Sequence, residues 1–145
     1  MEADTIIRLT QECPNSCAIK EASGSFEQAT TILRQKQPDL ALFSGDDAIV
    51  MTLMAMGFNG VISVAANLLP QKYATLVRSM KSGNWEEARR LHLELSEFCH
   101  LLFKEGNPAG IKAALYSAGI IKHHKLRLPL TSVSEELFKQ LANYF

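Results

Sequence analysis

Lys20 closes a short apolar run, Cys17-Ala18-Ile19, and no other residue suggests covalent chemistry so directly. A lysine at the end of an apolar strand is expected to be desolvated. Desolvation disfavours the ammonium, lowers its pKa and leaves an amine able to attack a carbonyl. The plainer alternative is a surface lysine paired with Glu21 or Asp46. Asp46-Asp47 raises a second possibility, paired carboxylates for acid/base work or a metal. Adjacent side chains diverge, however, and an aspartate at a helix start is more often a cap. His123-His124 lies in a basic run from Lys122 to Arg127 and reads as a surface turn. His92 and His100 stand eight apart on one predicted helix, too far to share an ion. Cys13 and Cys17 lack the second Cys/His pair that a zinc site requires, so they read as inert thiols with Cys99. The sequence calls for no metal and no cofactor. It contains no phosphate-binding glycine loop, no Gly-x-Ser-x-Gly elbow and no nucleic-acid motif.

These residues need elements to hold them. Asp4 to Glu12 reads as a helix with Ile6, Ile7 and Leu9 on its apolar side, stopped by Pro14-Asn15. Cys17-Ala18-Ile19 is the first strand candidate. Ser23-Gly24-Ser25 then turns the chain into a helix carrying Phe26, Ala29, Ile32 and Leu33 on one face. Leu40-Ala41-Leu42-Phe43 is a second strand candidate, ending in Ser44-Gly45-Asp46-Asp47. A methionine-rich helix from Ala48 to Met56, closed by Gly57, leads into a third strand, Gly60 to Val64, ending at Ala65-Ala66-Asn67. Strands alternating with helices predict a parallel sheet covered on its faces. Polar residues gather at the C-terminal end of each strand, the edge where parallel α/β folds bind ligands.

From Gln71 onward only helices are predicted. Tyr73, Leu76, Val77 and Met80 recur with helical spacing, and Asn84 with Glu87 forms an N-terminal cap. The long helix that follows carries Ala88, Leu91, Leu95, Phe98 and Leu102 on one stripe. Asn107-Pro108 starts another helix that Gly119 stops. Ser132 with Glu135 is expected to cap a last helix packing Leu137, Phe138 and Leu141.

With 145 residues, 15 basic against 15 acidic, the chain is neutral and 47% hydrophobic. Such a chain has enough sequence for a core and offers no electrostatic case for nucleic acid or an anionic membrane. The uncharged run from Ala48 to Pro70 is interrupted by Gly57, Asn59 and Gly60, so a buried helix and strand fit it better than a membrane span. Three cysteines and an acidic start suggest a protein of the cytoplasm without a signal peptide.

Four stretches together carry a family likeness. Ala18-Ile19-Lys20-Glu21-Ala22-Ser23-Gly24 resembles the Schiff-base lysine strand of the dihydrodipicolinate synthase family, pyruvate-dependent class I aldolases built on a (β/α)8 barrel. Ser44-Gly45-Asp46-Asp47 resembles the next strand end, and Gly60 through Asn67 the last barrel strand. Gly106-Asn107-Pro108 through Lys112 and Arg127-Leu128-Pro129-Leu130 resemble the C-terminal helical region. The resemblance implies that Lys20 forms an imine with pyruvate. Its enamine would then attack the aldehyde of aspartate semialdehyde, in lysine biosynthesis. Ile62 matches a position that contacts bound pyruvate.

By this resemblance the fold is α/β, a partial TIM (β/α)8 barrel made of its last three β/α units plus a C-terminal helical region. Residues 1–70 would be the C-terminal part of the barrel, and 71–145 its last helix and the helical region. Five strands would be missing, with the family's tyrosine proton relay, paired threonines and carboxylate-binding arginine. Three parallel strands cannot close a barrel, so the chain alone is expected to fold poorly or to assemble, with itself or with the complementary N-terminal part. It is also expected to lack normal synthase activity. Two further readings remain. One is a pyruvate aldolase of the sialic acid or keto-deoxy sugar acid type. The other is a non-catalytic α/β interaction module.

Overall fold

The computed structural model describes residues 1–144. Helix α1 (Ala3–Glu12) leads into β1 (Ala18–Glu21), α2 (Phe26–Gln35), β2 (Ala41–Ser44), α3 (Val50–Met56) and β3 (Gly60–Val61). A helical half follows: α4 (Pro70–Lys81), α5 (Trp85–Phe103), α6 (Ala109–Ser117) and α7 (Glu135–Ala142). Single turns of tighter helix, Asp47–Ile49 and Ala65–Asn67, follow β2 and β3.

The strands form one parallel sheet in the order β1-β2-β3. Each strand joins the sheet beside its predecessor. Because β-helix-β crossovers are right-handed, this order puts the connecting helices on one side only. The expectation of a sheet covered on its faces is therefore half right. Leu42 and Ser44 are fully buried and Glu21 is 5% exposed on the helix-covered face. Register sets Lys20, Phe43 and Gly60 level with one another, one step from the Glu21-Ser44-Val61 level. Their face is open: Ala18 and Lys20 are exposed, and Ile62 beyond β3 is 49% exposed.

Two apolar clusters hold the chain together. Ile6, Ile7, Ala29, Ile32, Leu42 and Leu53 seal α1, α2 and α3 onto the sheet. Val50, Met54, Tyr73, Leu76, Phe98 and Leu102 belong to the second cluster, among the C-terminal helices. Helix α3 serves both, with Leu53 in the first and Val50 and Met54 in the second, which ties the halves together. The α5 stripe packs inward as the spacing predicts, with Ala88, Phe98 and Leu102 fully buried.

Several boundaries differ from the sequence reading. The third strand stops at Val61 rather than Val64, because the amides of Val64 and Ala65 turn to the Asp47 carboxylate instead of a neighbouring strand. The first two strands lie one residue or more further along than the apolar runs suggest, so Lys20 and Glu21 belong to β1 itself. The cap of α7 is Ser134, not Ser132. Its hydroxyl accepts from Leu137 N–H, and Glu105 accepts from both its amide and its hydroxyl, which fixes it at the helix entrance. Caps at Ser25 and Asn84 and the left-handed exit at Gly57 (φ 118°) lie where the sequence puts them. No helix among the described residues is long and apolar enough to cross a membrane.

Candidate functional site

The C-terminal ends of the three strands are crowded with polar residues, and most of them are occupied in holding the backbone. Glu21 Oε1 accepts from Ser23 N–H at 2.7 Å, and Oε2 accepts from the Gln28 amide at 3.0 Å. Burial works to raise this carboxyl's pKa. The hydrogen bonds from Ser23 and Gln28 outweigh it and hold Glu21 below the usual glutamate value. The Ser44 hydroxyl donates to Asp46 C=O at 2.7 Å and accepts from Asp46 N–H at 3.1 Å, tightening the turn after β2.

Asp46 and Asp47 diverge, as adjacent residues must. Asp46 caps the turn that follows it, accepting from Ala48 N–H at 2.8 Å. Asp47 is 2% exposed and reaches across to the β3 end, where its Oδ2 accepts from Val64 N–H at 2.9 Å and Ala65 N–H at 3.1 Å. The two carboxylates are thus engaged separately, each with backbone amides of its own. Below Asp47, the Tyr73 hydroxyl lies 2.8 Å from Cys99 Sγ, with both residues buried. Burial, reinforced by the Asp47 charge, pushes the Tyr73 hydroxyl far up; burial likewise raises the Cys99 thiol to about 11. Cys99 is thus a protonated, quiet thiol at neutral pH, in keeping with an inert role.

Lys20 remains. It lies on the open face of β1, level with Phe43 and Gly60, and has no ion-pair partner among the described residues. Pairing with Glu21 is excluded by the strand itself, since successive side chains point to opposite faces. Asp46 is turned to its own cap. The expected desolvation is not met: Lys20 is exposed, because the face carrying it has no covering layer. Ile62 follows on the same face as Gly60, and its N–H donates to Ser44 C=O at 2.8 Å. Its amide is thereby committed to the ladder. Grooves of about 390 Å³ along β1 and about 440 Å³ along β3 follow the two outer strands.

The other candidates lie elsewhere. His92 is half-buried on α5, and burial lowers its pKa, whereas His100 is exposed. The His124 ring packs at a tilt against Tyr116 at 4.8 Å and Phe138 at 5.4 Å, which makes it part of a surface aromatic cluster. No group of three His, Cys, Asp or Glu among the described residues is arranged to hold a metal ion. The roles of Glu21 and Asp47 as backbone anchors were not read from the sequence. A carboxylate between an apolar strand and a Ser-Gly-Ser turn was the available signal for Glu21. Asp47 gave none, because its partners lie 17 and 18 residues away.

Comparison with known proteins agrees with this geometry. The dihydrodipicolinate synthetase family profile matches residues 1–144. A 4-hydroxy-tetrahydrodipicolinate synthase of Porphyromonas gingivalis is 40% identical over 135 residues, covering 93% of this chain and 46% of that protein. Its counterpart in Chlorobium phaeovibrioides is 44% identical over 142 residues, covering 98% and 48%. Among solved structures, dihydrodipicolinate synthase from Aquifex aeolicus superposes with a TM-score of 0.93 at 34% identity, over 99% of this chain and 48% of that one. The lysine-bound enzyme from Cyanidioschyzon merolae gives 0.92 at 40% identity, again over 99% and 48%. The chain therefore spans about half the length of the relatives it matches, and over that span it belongs to the dihydrodipicolinate synthetase family.

Proposed function

We propose that this chain is the C-terminal, Schiff-base-bearing portion of a 4-hydroxy-tetrahydrodipicolinate synthase acting in the cytoplasm in lysine biosynthesis. Residues 1–70 supply the last three β/α units of the barrel, and residues 71–145 its last helix and the helical region. The observation that carries the reading is the position of Lys20. It is the nucleophile left unengaged at the C-terminal edge of a parallel sheet, on the face that a closed barrel turns inward.

In this reading the neutral Lys20 amine adds to the pyruvate carbonyl, and loss of water forms the imine. Departure of a methyl proton gives the enamine, whose carbon attacks the aldehyde of aspartate semialdehyde. Ile62 packs against the pyruvate from the end of β3, two strands away from Lys20. The chain needs no metal or cofactor for these steps, because the iminium itself is the electron sink. Lys20 must first be desolvated, and the open sheet face cannot do this alone. Five further β/α units, from a complementary N-terminal part, would pair the outer strands and close over the lysine. The 145-residue chain alone is accordingly inactive as a synthase.

Borohydride reduction in the presence of pyruvate tests the proposal. The chain is mixed with the separately expressed portion of the Porphyromonas gingivalis relative that it leaves uncovered, and the adduct is mapped by mass spectrometry. An adduct on Lys20, absent in Lys20→Ala and formed faster in the mixture, is the expected result. No adduct in the mixture would refute it and favour a non-catalytic module. Normal turnover by the isolated chain would refute the need for the missing units.

A further inference from the structure

We infer that Gly45 is a positioning residue for Lys20, its missing side chain leaving room for the lysine stem on the open face. The end of β2 is drawn tightly onto β1: Gly45 N–H donates to Glu21 C=O at 2.6 Å. At this separation a Cβ on residue 45 would lie 2.9 Å from Lys20 Cε, 2.6 Å from Ala22 Cβ and 3.1 Å from Glu21 C=O. Real Cβ atoms essentially never approach other heavy atoms within 3.0 Å, so something must move. Gly45 is absent from the glycines with positive φ, so the obstacle to a side chain is space, not backbone conformation.

The two close neighbours respond differently. Ala22 Cβ is fixed to the backbone and can yield only by moving the β1 end. Lys20 Cε belongs to a flexible chain that yields by rotating, which carries the amine away from its place on the open face. A side chain at position 45 therefore conflicts with both neighbours, and once the Ala22 conflict is removed it displaces the lysine stem. Misplacing a reacting group by an ångström costs up to about 100-fold in rate. The geometry stands by itself, while its consequence for catalysis rests on Lys20 being the imine-forming residue.

The test separates the two neighbours. Ala22→Gly removes the tightest rigid conflict and leaves the one with the lysine, beside a milder 3.1 Å approach to the Glu21 carbonyl. Ala22→Gly/Gly45→Ala is compared with Ala22→Gly alone for melting midpoint and for the rate of pyruvate-borohydride labelling at Lys20, read by peptide mapping of the full chain. The inference expects matched midpoints with labelling slowed about 10–100-fold in the double variant. Equal labelling rates overturn it. Should the wild-type chain form no adduct, the imine reading fails separately, and Gly45 is judged by NMR of the ¹³C-methylated Lys20 amine. A methyl resonance displaced by Gly45→Ala then supports the positioning role, and an unmoved one overturns it. If the double variant does not fold, adding Lys20→Ala decides the matter. Recovery assigns the conflict to the lysine stem, and continued failure rejects it.

Discussion

Removing the Asp47 carboxylate should loosen the loop that carries Ile62, at a cost that the hydrogen bonds define. Asp47 Oδ2 accepts from two amides, Val64 N–H at 2.9 Å and Ala65 N–H at 3.1 Å, the second fully buried. Leaving a buried donor unsatisfied costs about 1–3 kcal/mol, and the partly buried Val64 amide contributes less because water reaches it. Asp47→Ala is therefore expected to destabilise the fold by about 2–4 kcal/mol. For a chain of this length that lowers the melting midpoint by roughly 5–15 °C. Asp47→Asn keeps an oxygen for both amides, and its NH2 occupies the place of Oδ1, which is buried without a hydrogen-bond partner. That NH2 is itself a buried donor without a partner, so the asparagine variant should retain only part of the lost stability. Circular dichroism melts of both variants measure the cost, and amide exchange locates it. Val64 and Ala65 should lose protection while the Leu42 amide, held by the Asn59 side chain at 2.8 Å, keeps its own. A midpoint for Asp47→Ala within about 2 °C of the wild type would refute the pinning role. Equal losses in the alanine and asparagine variants would refute the hydrogen-bond account of it.

Two other perturbations follow from the same kind of argument. Hydrogen bonds hold the Glu21 pKa below its unfolded value, so the carboxylate contributes stability above the unfolded pKa and loses it as pH falls through the folded one. In denaturant titrations from neutrality to about pH 3, the stability difference between wild type and Glu21→Gln should therefore shrink with acid; a constant difference would contradict the assignment. At the α5–α6 crossing, a Cβ on Gly110 would lie 2.8 Å from the Leu102 carbonyl carbon, a backbone atom that cannot rotate aside. Gly110→Ala should cost about 1–3 kcal/mol by overpacking, and a wild-type melting midpoint would show that the crossing yields.

Local signals made the elements legible. The α5 stripe, the Asn84 cap and the Gly57 exit depend on residues within one or two turns of each other, so periodicity and capping chemistry suffice to find them. Ser132 shows the limit of such signals. Its spacing to Glu135 fits a capping box, yet Ser134 is the cap because Glu105, 29 residues away in sequence, binds it. The short β3 has the same origin: Gly60 to Val64 is apolar enough for a strand, and a distant carboxylate takes its amides. Lys20 was identified by type and neighbours, but its solvation was misjudged because an apolar strand does not reveal how many of its faces are covered.

The sequence by itself determined the alternation of strands and helices, the helical second half, the candidate lysine and the family likeness. All of these are written in nearest-neighbour patterns or in contiguous motifs. Tertiary structure decided the environment of that lysine. Strand order combined with right-handed crossovers puts the connecting helices α2 and α3 on one side, so Glu21 is buried and Lys20 is exposed although they are adjacent. It also decided that Gly45 abuts the lysine stem, because register between strands is set by contacts across the sheet and not along the chain.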